Sequence, residues 1–313
     1  MQRLLDILAA LADPTRLKIM LLIRDLELAM GELAEVLDQS QPRVSRHVRI
    51  LAEAGLVRRN KEGAWVFVGL GGHVPTAEIY ALVDVLLSGR DPIVAERARL
   101  LQVRALRQKQ VDQWFDAHAA EWDFMRALEG PESAVEAAIQ AAARADGAGG
   151  AGEVGRLLDI GTGTGRIIEL LGAEAVSATG VDRSPEMLRL ARAKLAAGDT
   201  ASAEVRQADM RALPFEAHSF DTVTLHHVLH FADDPAATIE ESARMVAPGG
   251  KLLVVDYAPH TREDFRTRFQ HLRLGFEDAA VSSWIASAGL VSAVVSHHSG
   301  PELTVTLWQG TRA

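Results

Sequence analysis

Residues 157–165 have the sequence Leu-Leu-Asp-Ile-Gly-Thr-Gly-Thr-Gly, and Asp182 closes the next apolar run. An apolar strand, a glycine-rich turn and a helix in this order place a nucleotide-like ligand against the backbone at the carboxyl end of a parallel sheet. The acid after the following strand is placed to accept hydrogen bonds from the two hydroxyls of a ribose. The stretch therefore predicts an α/β doubly wound sheet with a ligand site at its strand ends.

The glycine spacing is not that of a dinucleotide site. The nicotinamide fingerprint has glycines at its first, third and sixth positions, whereas here they stand at 161, 163 and 165, and Arg166 holds the sixth place. Gly161 and Gly163 leave no side chain between backbone and ligand, and Asp159 is placed to hold a cationic group. S-adenosylmethionine, which carries an amino group and a sulfonium, fits such an anionic rim better than a pyrophosphate does.

The C-terminal half alternates apolar strands with helices, which is the pattern of a Rossmann-like parallel sheet. The Ala/Gly-rich stretch 141–155 predicts a low-complexity linker or loop. The predicted strands are 156–160, 176–182, 203–207, 220–226 and 250–257, followed by a terminal hairpin at 290–297 and 303–308.

The first 70 residues predict a mainly α winged helix-turn-helix, in which a second short helix enters the major groove and a β-hairpin forms the wing. Asp13 and Pro14 are the start signals of one helix. The predicted helices are 4–11, 14–25, 30–37 and 42–54; the predicted strands are 56–57 and 64–70, joined by a polar tip at 60–63.

Charge supports a DNA-reading module. The chain of 313 residues has a net charge of −9, yet residues 41–61 hold six Arg and Lys against Glu53 alone. A basic segment in an acidic protein indicates a polyanion-binding surface. Gln and Arg read bases by bidentate hydrogen bonds, and the wing meets phosphate or minor groove. The candidate DNA-binding residues are Gln41, Arg43, Ser45, Arg46 and His47 on the helix, and Arg58, Arg59 and Lys61 on the wing.

The motifs Ala-Asp-Pro-Thr-Arg (12–16), Val-Ser-Arg-His (44–47) and Leu-Ala-Glu-Ala-Gly-Leu-Val (51–57) resemble those of the ArsR family of bacterial transcriptional regulators. The resemblance implies a homodimer, with an interface at 4–11 and 76–88, on double-stranded operator DNA of two-fold symmetry. Many members sense metals or arsenite through cysteines, and this chain has none. His73 and Asp84 are the candidates for another metal site on the dimer helix, and no metal is expected.

Residues 156–257 resemble class I S-adenosylmethionine-dependent methyltransferases of the ubiquinone/menaquinone-biosynthesis type. The resemblance rests on 157–165 together with Gly-Val-Asp-Arg-Ser-Pro-Glu-Met-Leu (180–188), Gln-Ala-Asp-Met (207–210) and Val-Ala-Pro-Gly-Gly-Lys-Leu-Leu-Val-Val-Asp (246–256). It implies that S-adenosylmethionine or S-adenosylhomocysteine is bound. Asp182 would hold the ribose, Met187 and Asp209 the adenine, and His226 would lie near the sulfonium. The implied cofactor-binding residues are Asp159, Gly161, Gly163, Gly165, Asp182, Arg183, Met187, Asp209, Met210 and His226.

Histidines follow the predicted fourth strand of this sheet. Methyl transfer is assisted by proximity and orientation, and a base is needed only if the acceptor loses a proton. His227 and His230 are the tentative catalytic candidates, although they are equally compatible with ordinary polar residues at a strand end. The aromatic residues of 111–125, which include Trp114, Phe115, Trp122 and Phe124, predict a helix that either closes over the cofactor or packs between domains.

The length predicts two domains joined by a connector: 1–90 for DNA binding and dimerisation, 91–150 as helical connector, lid and linker, and 151–313 for S-adenosylmethionine binding. No apolar run approaches the roughly 18–20 residues that span a bilayer. The expected protein has no membrane partner and is cytoplasmic.

These features favour a transcriptional regulator whose methyltransferase-like domain binds S-adenosylmethionine or S-adenosylhomocysteine as the signal, with methionine-cycle genes as logical targets. The alternatives are an active small-molecule methyltransferase with a DNA-binding module for localisation or autoregulation, and an inactive pocket kept as a dimerisation scaffold. The sequence leaves enzymatic activity open. Residues 233–236 read Asp-Asp-Pro-Ala, which is not a DNA-methylation motif, and arsenite methylation is rejected because the chain has no cysteine.

Overall fold

The protein is described from a computed structural model, which covers residues 2–24, 27–62, 64–71, 76–88, 91–121, 132–145, 154–197 and 203–313. The described chain divides into two compact units, Met1–Gln110 and Val111–Ala313. Among these residues, no helix combines the length with the apolar character that crossing a bilayer requires.

The N-terminal unit packs helices around a three-stranded antiparallel sheet of order β1-β3-β2. Its elements are α1 (Gln2–Leu11), α2 (Pro14–Leu22), β1 (Leu28–Ala29), α3 (Met30–Val36), α4 (Gln41–Glu53), β2 (Val57–Glu62), β3 (Trp65–Leu70), α5 (Thr76–Leu87) and α6 (Val94–His118), which continues into the second unit.

Helix α2 starts where the sequence predicts it. The Asp13 carboxylate accepts a hydrogen bond from the Arg16 backbone N–H at 3.0 Å, and Pro14 stands at the first helical position. Helix α4 buries one apolar stripe, Val44, Val48 and Leu51, in the core of the unit. Its opposite side is left for polar residues, as the winged helix-turn-helix requires.

The wing differs from its predicted bounds. Strand β2 runs through Glu62, so Asn60 and Lys61, expected in a polar tip, pair with Phe67 and Val66 of β3. The hairpin is longer because β2 is the edge strand of the sheet, where its backbone pairs with β3 while the exposed side chains of residues 58–61 reach solvent. The short strand β1, which the sequence did not indicate, pairs with the other edge of β3 through Leu28 and Val68.

The C-terminal unit is built on a seven-stranded sheet of order β6-β5-β4-β7-β8-β10-β9. Its strands are β4 (Gly155–Ile160), β5 (Ala175–Asp182), β6 (Ala203–Gln207), β7 (Phe220–His226), β8 (Val246–Tyr257), β9 (Val291–Ser299) and β10 (Thr304–Thr311). Its helices after α6 are α7 (Glu132–Arg144), α8 (Arg166–Leu171), α9 (Pro185–Ala197), α10 (Pro235–Met245), α11 (Asp264–Arg268) and α12 (Asp278–Ser287).

Strands β4 to β8 are parallel, and β10 runs antiparallel between β8 and β9. Adjacent residues of β4 enter different cores: Leu157 packs on one face of the sheet and Leu158 on the other. Both faces are therefore covered, as parallel sheets require. The strand order reverses between β4 and β7, and the crevice at such a switch point is where α/β sheets bind ligands.

The stretch 141–155, predicted to be a linker or loop, is in part ordered structure. Ala142 and Ala143 lie buried in α7, and Gly155 begins β4. Alanine is the strongest helix former, so a run rich in Ala continues the helix where its composition alone resembles a linker. The remainder of this stretch, from 146 to 153, lies outside the described residues.

Candidate functional site

The presumed DNA-reading face lies on α4 and the wing. Gln41, Arg43 and Arg46 are exposed, and Ser45 is half-buried. Gln41, Ser45 and Arg59 share the lining of one groove of about 610 Å³ with the wing residue Trp65. The structure thus brings helix and wing residues of the predicted DNA-binding set to one surface.

Two residues of the predicted DNA-binding set, His47 and Arg58, contact carboxylates of the protein itself. The His47 imidazole is half-buried, with Nδ1 at 3.6 Å from the Asp13 carboxylate, and burial lowers the pKa of His47. The Arg58 guanidinium donates to Glu27 Oε1 at 2.6 Å. Arg59 and Lys61 are exposed on the same strand. Arg43 and Arg46 on α4 and Arg59 and Lys61 on the wing are thus the predicted cations that stay exposed.

The glycine-rich turn follows β4 and bends back over β5. Gly161, Gly163 and Gly165 all have positive φ, at 72°, 53° and 91°. The backbone N–H groups of Gly161 and Thr162 both donate to the Val181 carbonyl, at 2.8 and 2.9 Å. Left-handed backbone at three alternate positions explains why glycine is needed there.

Asp182 joins this turn to the next loop. One carboxylate oxygen accepts from Gly163 N and the other from Ser184 N, each at 2.9 Å. Desolvation raises the pKa of Asp182, and the Asp112 carboxylate adds to that rise. The structure therefore places the predicted ribose acceptor directly beside the predicted cofactor turn.

The other candidate cofactor-binding residues differ in how deeply they are buried. Asp159 is buried in β4, where Thr224 Oγ1 donates to its carboxylate at 2.7 Å. Met187 is buried in α9, and its N–H donates to Ser184 Oγ at 3.2 Å. Met210 is half-buried against the core.

Asp209 lies in a chain of alternating charges. Its carboxylate accepts from the Arg211 guanidinium at 3.1 Å and lies 3.6 Å from Arg183, which lies 3.3 Å from Asp112. Burial alone would raise the pKa of Asp209, but the hydrogen bonds of Arg211 and the charge of Arg183 bring it below its usual value. Asp209 is thus an anion at the predicted adenine edge.

The last turns of α6 reach the same loop through Asp112 and Asp116, two acids that the sequence analysis did not single out. Ser184 Oγ donates to the Asp116 carboxylate at 2.5 Å. The Phe115 ring meets the Phe231 ring edge-on at 4.9 Å between centroids, and Trp114 packs against the core. The acids at 112 and 116 lie one helical turn apart, a spacing that places two side chains on one helix face and was the available signal. Trp122 and Phe124 lie outside the described residues, as does His73.

The histidines lie at the carboxyl ends of β7 and β8. His226 ends β7, and His227 has a φ of 51°. His230 is buried, and its Nδ1 lies 2.7 Å from Asp256 Oδ1. Burial alone would raise the pKa of Asp256, but the charge and hydrogen bond of His230 bring it below its usual value. Sequence reasoning found His227 and His230 and missed Asp256.

Two further histidines complete this cluster. The His271 ring stacks on His230 at 3.9 Å between centroids, and burial lowers the pKa of His271 well below its usual value. His260 lies against Phe265, and burial lowers its pKa to about 4. Both rings are therefore neutral near pH 7. They come from a segment after β8 where no motif marks them.

Substitution of Gly161 tests whether the turn requires glycine at this position. A methyl group at Gly161 would lie 2.4 Å from Val228 Cγ2, whereas one at Gly289, which has a φ of 79°, meets no atom within 4 Å. We expect Gly289→Ala to lower the free energy of unfolding by about 1 kcal/mol through backbone strain alone. Gly161→Ala should lower it by about 2–4 kcal/mol because strain and overpacking add. Urea denaturation of both variants measures the difference, and equal losses would contradict the close approach to Val228.

Comparisons with known proteins agree with both halves of this description. Residues 13–59 match the model of the bacterial regulatory protein, arsR family, and residues 158–254 match that of the methyltransferase domain. The arsenical resistance operon repressor of Escherichia coli is 50% identical over 66 residues, which cover 21% of this chain and 56% of that protein. The demethylmenaquinone methyltransferase of Thermus thermophilus is 38% identical over 117 residues, which cover 35% of this chain and 50% of that protein.

The chain spans about half the length of the curated relatives it matches. Among solved structures, a methyltransferase in complex with the Haloferax volcanii Trm112 activator aligns with a TM-score of 0.51 at 24% identity, covering 63% of this chain and 96% of that one. The [4+2]-cyclase SpnF aligns with a TM-score of 0.52 at 17% identity, covering 65% of this chain and 95% of that one. One fold thus carries different chemistries, so fold alone does not assign a reaction. The chain joins an ArsR-type DNA-binding domain at its N-terminus to a methyltransferase domain at its C-terminus.

Proposed function

We propose that this protein is a transcriptional regulator whose methyltransferase-like domain binds S-adenosylmethionine or S-adenosylhomocysteine as the signal that controls promoter binding. Methionine-cycle genes are the targets that such a signal would serve. The observation that carries the proposal is α6, which contributes residues to the core of the DNA-binding unit and, at its other end, to the loop after Asp182.

The residues at the strand ends fit the ligand. The glycines at 161, 163 and 165 leave three positions of the turn without a side chain, and Val228 packs directly against Gly161. Asp182 is an acceptor-only group when ionised, which suits the two hydroxyls of a ribose. Asp209 supplies a second acceptor for an exocyclic amino group. The complete set argues against an inactive scaffold.

Each half of α6 is anchored in its own unit. In the N-terminal unit, Glu96 accepts from Lys18 Nζ at 2.6 Å, and Arg99 donates to the Val36 carbonyl at 2.9 Å. In the C-terminal unit, Asp112 pairs with Arg183 and Asp116 accepts from Ser184. A ligand on Asp182 therefore acts on a loop that is bonded to the same helix that supports α3 and α2.

A change at that loop can alter DNA binding only through differential affinity. The ligand must bind the DNA-competent and the incompetent state unequally, and the ratio of the two affinities limits the effect. A tenfold ratio corresponds to about 1.4 kcal/mol, which is comparable to one hydrogen bond of the Ser184–Asp116 kind. The coupling that the proposal requires is thus modest.

A homodimer on a two-fold symmetric operator belongs to the same proposal. Helices α1 and α5 expose large apolar side chains, with Leu4 54%, Leu8 49%, Val85 72% and Leu86 73% accessible. Large exposed apolar patches mark interaction sites. A second copy that covered these helices would place two α4 helices about 34 Å apart, one turn of DNA.

Fluorescence anisotropy of a labelled fragment of the protein's own promoter tests the proposal. The fragment is titrated with protein alone, with S-adenosylmethionine and with S-adenosylhomocysteine, at one fixed salt concentration because phosphate contacts make the affinity salt-dependent. We expect one ligand to change the affinity for the promoter fragment several-fold, and that ligand is then identified as the signal. Equal affinity in all three titrations contradicts the proposal.

The Asp116→Ala variant isolates the coupling. It removes the acceptor of the Ser184 hydroxyl while leaving Asp182 and α4 intact. We therefore expect the ligand to bind with little change while its effect on DNA affinity falls by about threefold or more, as the loss of one hydrogen bond allows. Gln113→Ala, an exposed change one turn earlier on α6, is the matched control and should respond as the natural chain does.

The second candidate is an active small-molecule methyltransferase, and the His230–Asp256 pair favours it. Bound S-adenosylmethionine would supply an activated methyl group. The chain itself supplies a buried imidazole whose orientation a carboxylate fixes, which is the arrangement of a general base. If neither ligand changes the affinity for the promoter, the measurement to make is the consumption of S-adenosylmethionine in the presence of candidate methyl acceptors.

A further inference from the structure

A cluster of nitrogen and oxygen donors lies where β7 and β8 end. His227, His230 and Asp256 each place one donor atom within 4.8 Å of the donor atoms of the other two. His230 and Asp256 are 1% and 0% exposed, and His227 is half-buried. Two imidazoles and a carboxylate in a buried setting are a typical set for a transition-metal ion.

Asp256 is fixed by more than one bond. Its oxygens accept from the backbone N–H of His230 at 3.2 Å and from the backbone N–H of Tyr257 at 2.8 Å. In addition, Oδ1 lies 2.7 Å from Nδ1 of the His230 ring. His230 Nδ1 and Asp256 Oδ1 thus face each other, and a cation that binds both atoms displaces the proton between them.

A second observation is that other ring nitrogens beside this pair are buried without a hydrogen bond. Within the part of the chain that the structure describes, His230 Nε2 has no hydrogen bond, and neither ring nitrogen of His271 has one. A buried polar atom left unsatisfied costs about 1–3 kcal/mol, so such atoms in folded proteins are nearly always satisfied by protein, water or an ion. A bound water or ion beside these rings would satisfy them.

We propose that His227, His230 and Asp256 bind one divalent transition-metal ion, of which zinc is the best fit. Zinc accepts three protein ligands of the nitrogen and oxygen type and leaves a fourth position open. Tetrahedral ligands about 2.0–2.1 Å from zinc lie about 3.3 Å from one another, so the donor atoms need to approach by no more than about 1.5 Å from the separation of 4.8 Å.

His271 packs beside the site and does not share the ion. Its ring is stacked on His230 with an angle of 29° between the planes, and the lone pairs of two stacked rings lie in separate, nearly parallel planes. Val228, the neighbour of His227, packs against Gly161 of the cofactor turn. The ion would thus lie next to the presumed cofactor site, and its open position would accept a further oxygen, nitrogen or sulfur donor.

The test uses the full chain without an affinity tag. After treatment with a chelator and its removal, the protein is equilibrated with zinc chloride, and bound metal is measured by mass spectrometry. We expect one zinc per chain. Cobalt(II) in place of zinc should give the visible absorption of a four-coordinate site, which reports the ligands directly.

Two variants and one control decide the assignment. His227→Gln changes a half-buried ligand that contributes little to the core, and Asp256→Asn keeps the size of the buried carboxyl. Each should weaken zinc binding by about tenfold or more, as losing one ligand or its orienting partner does. His297→Ala is the control, since that histidine lies on β9 and pairs with Asp278 of α12, and this variant should bind one zinc as before.

Each outcome bears on the proposal independently of the regulatory function. A natural chain that takes up no stoichiometric zinc or cobalt overturns it and assigns the cluster to bound water. Binding that survives His227→Gln and disappears with His297→Ala overturns it as well. Circular dichroism melting shows whether each variant is folded, and a folded His227→Gln chain with unchanged zinc affinity is sufficient to reject the site.

Discussion

Asp182→Ala is expected to weaken the binding of S-adenosylmethionine and S-adenosylhomocysteine by about 100-fold or more. The carboxylate is proposed to accept both ribose hydroxyls, and two hydrogen bonds to a charged group are together worth about 3–6 kcal/mol. The substitution also removes the acceptor of Gly163 N and Ser184 N, so the turn loses its support. Isothermal titration calorimetry with each ligand measures the effect.

Asp182→Asn separates the loss of hydrogen bonds to the ligand from the loss of support for the turn. The amide keeps the size of the side chain and one acceptor oxygen, but it lacks the charge and replaces the second acceptor with a donor. We expect it to bind ligand weakly while retaining more stability than Asp182→Ala. Glu186→Ala is the matched control, because the side chain of that acid is about half exposed and accepts from Arg189 of its own helix. Unchanged ligand affinity in Asp182→Ala would refute the site assignment.

The double variant Arg43→Ala, Arg46→Ala is expected to lose operator binding by about 100-fold or more. Both arginines are exposed on the first turns of α4, the part of a recognition helix that contacts base edges. Each base contact contributes about 1–3 kcal/mol, and the contributions of two such contacts roughly add. Anisotropy titrations with operator and with an unrelated fragment of equal length measure the loss of affinity and of specificity.

Salt separates base contacts from phosphate contacts in the same experiment. If the two arginines contact bases, the variant should lose its preference for operator while the slope of affinity against salt changes little; phosphate contacts would reduce the slope by about one for each arginine. Arg97→Ala is the control, since this exposed residue of α6 pairs with Asp91. Operator affinity that falls equally in the control would assign the loss to the fold of the unit.

The local features of the sequence predicted the elements of the cofactor turn closely. Gly161 and Gly163 stand between an apolar strand and a helix, and their left-handed backbone angles follow from the absence of a side chain. The pair of Asp182 with this turn was predictable because the carboxyl ends of adjacent parallel strands meet at one edge. The Asp13–Pro14 helix start is equally local.

Composition misled where it was the only guide. The Ala-rich run before β4 continues a helix through Arg144. Alanine is common both in helices and in low-complexity linkers, so its abundance alone does not distinguish the two. The charged residues of the wing lie in a strand, since β2 pairs its backbone with β3 at the edge of the sheet and its side chains reach solvent. The helix follows the local preference of alanine, whereas the strand depends on pairing with β3.

The sequence by itself determined which two modules this protein has, because their turns, caps and alternating apolar runs depend on neighbours a few residues away. Only the tertiary structure decided that Asp116 bonds to Ser184, 68 residues further along the chain, and that Asp256 lies beside His230. These contacts arise from the order of strands and the path of α6. Since no local pattern encodes a separation that only folding closes, the candidate coupling and the candidate metal site became visible in the folded chain alone.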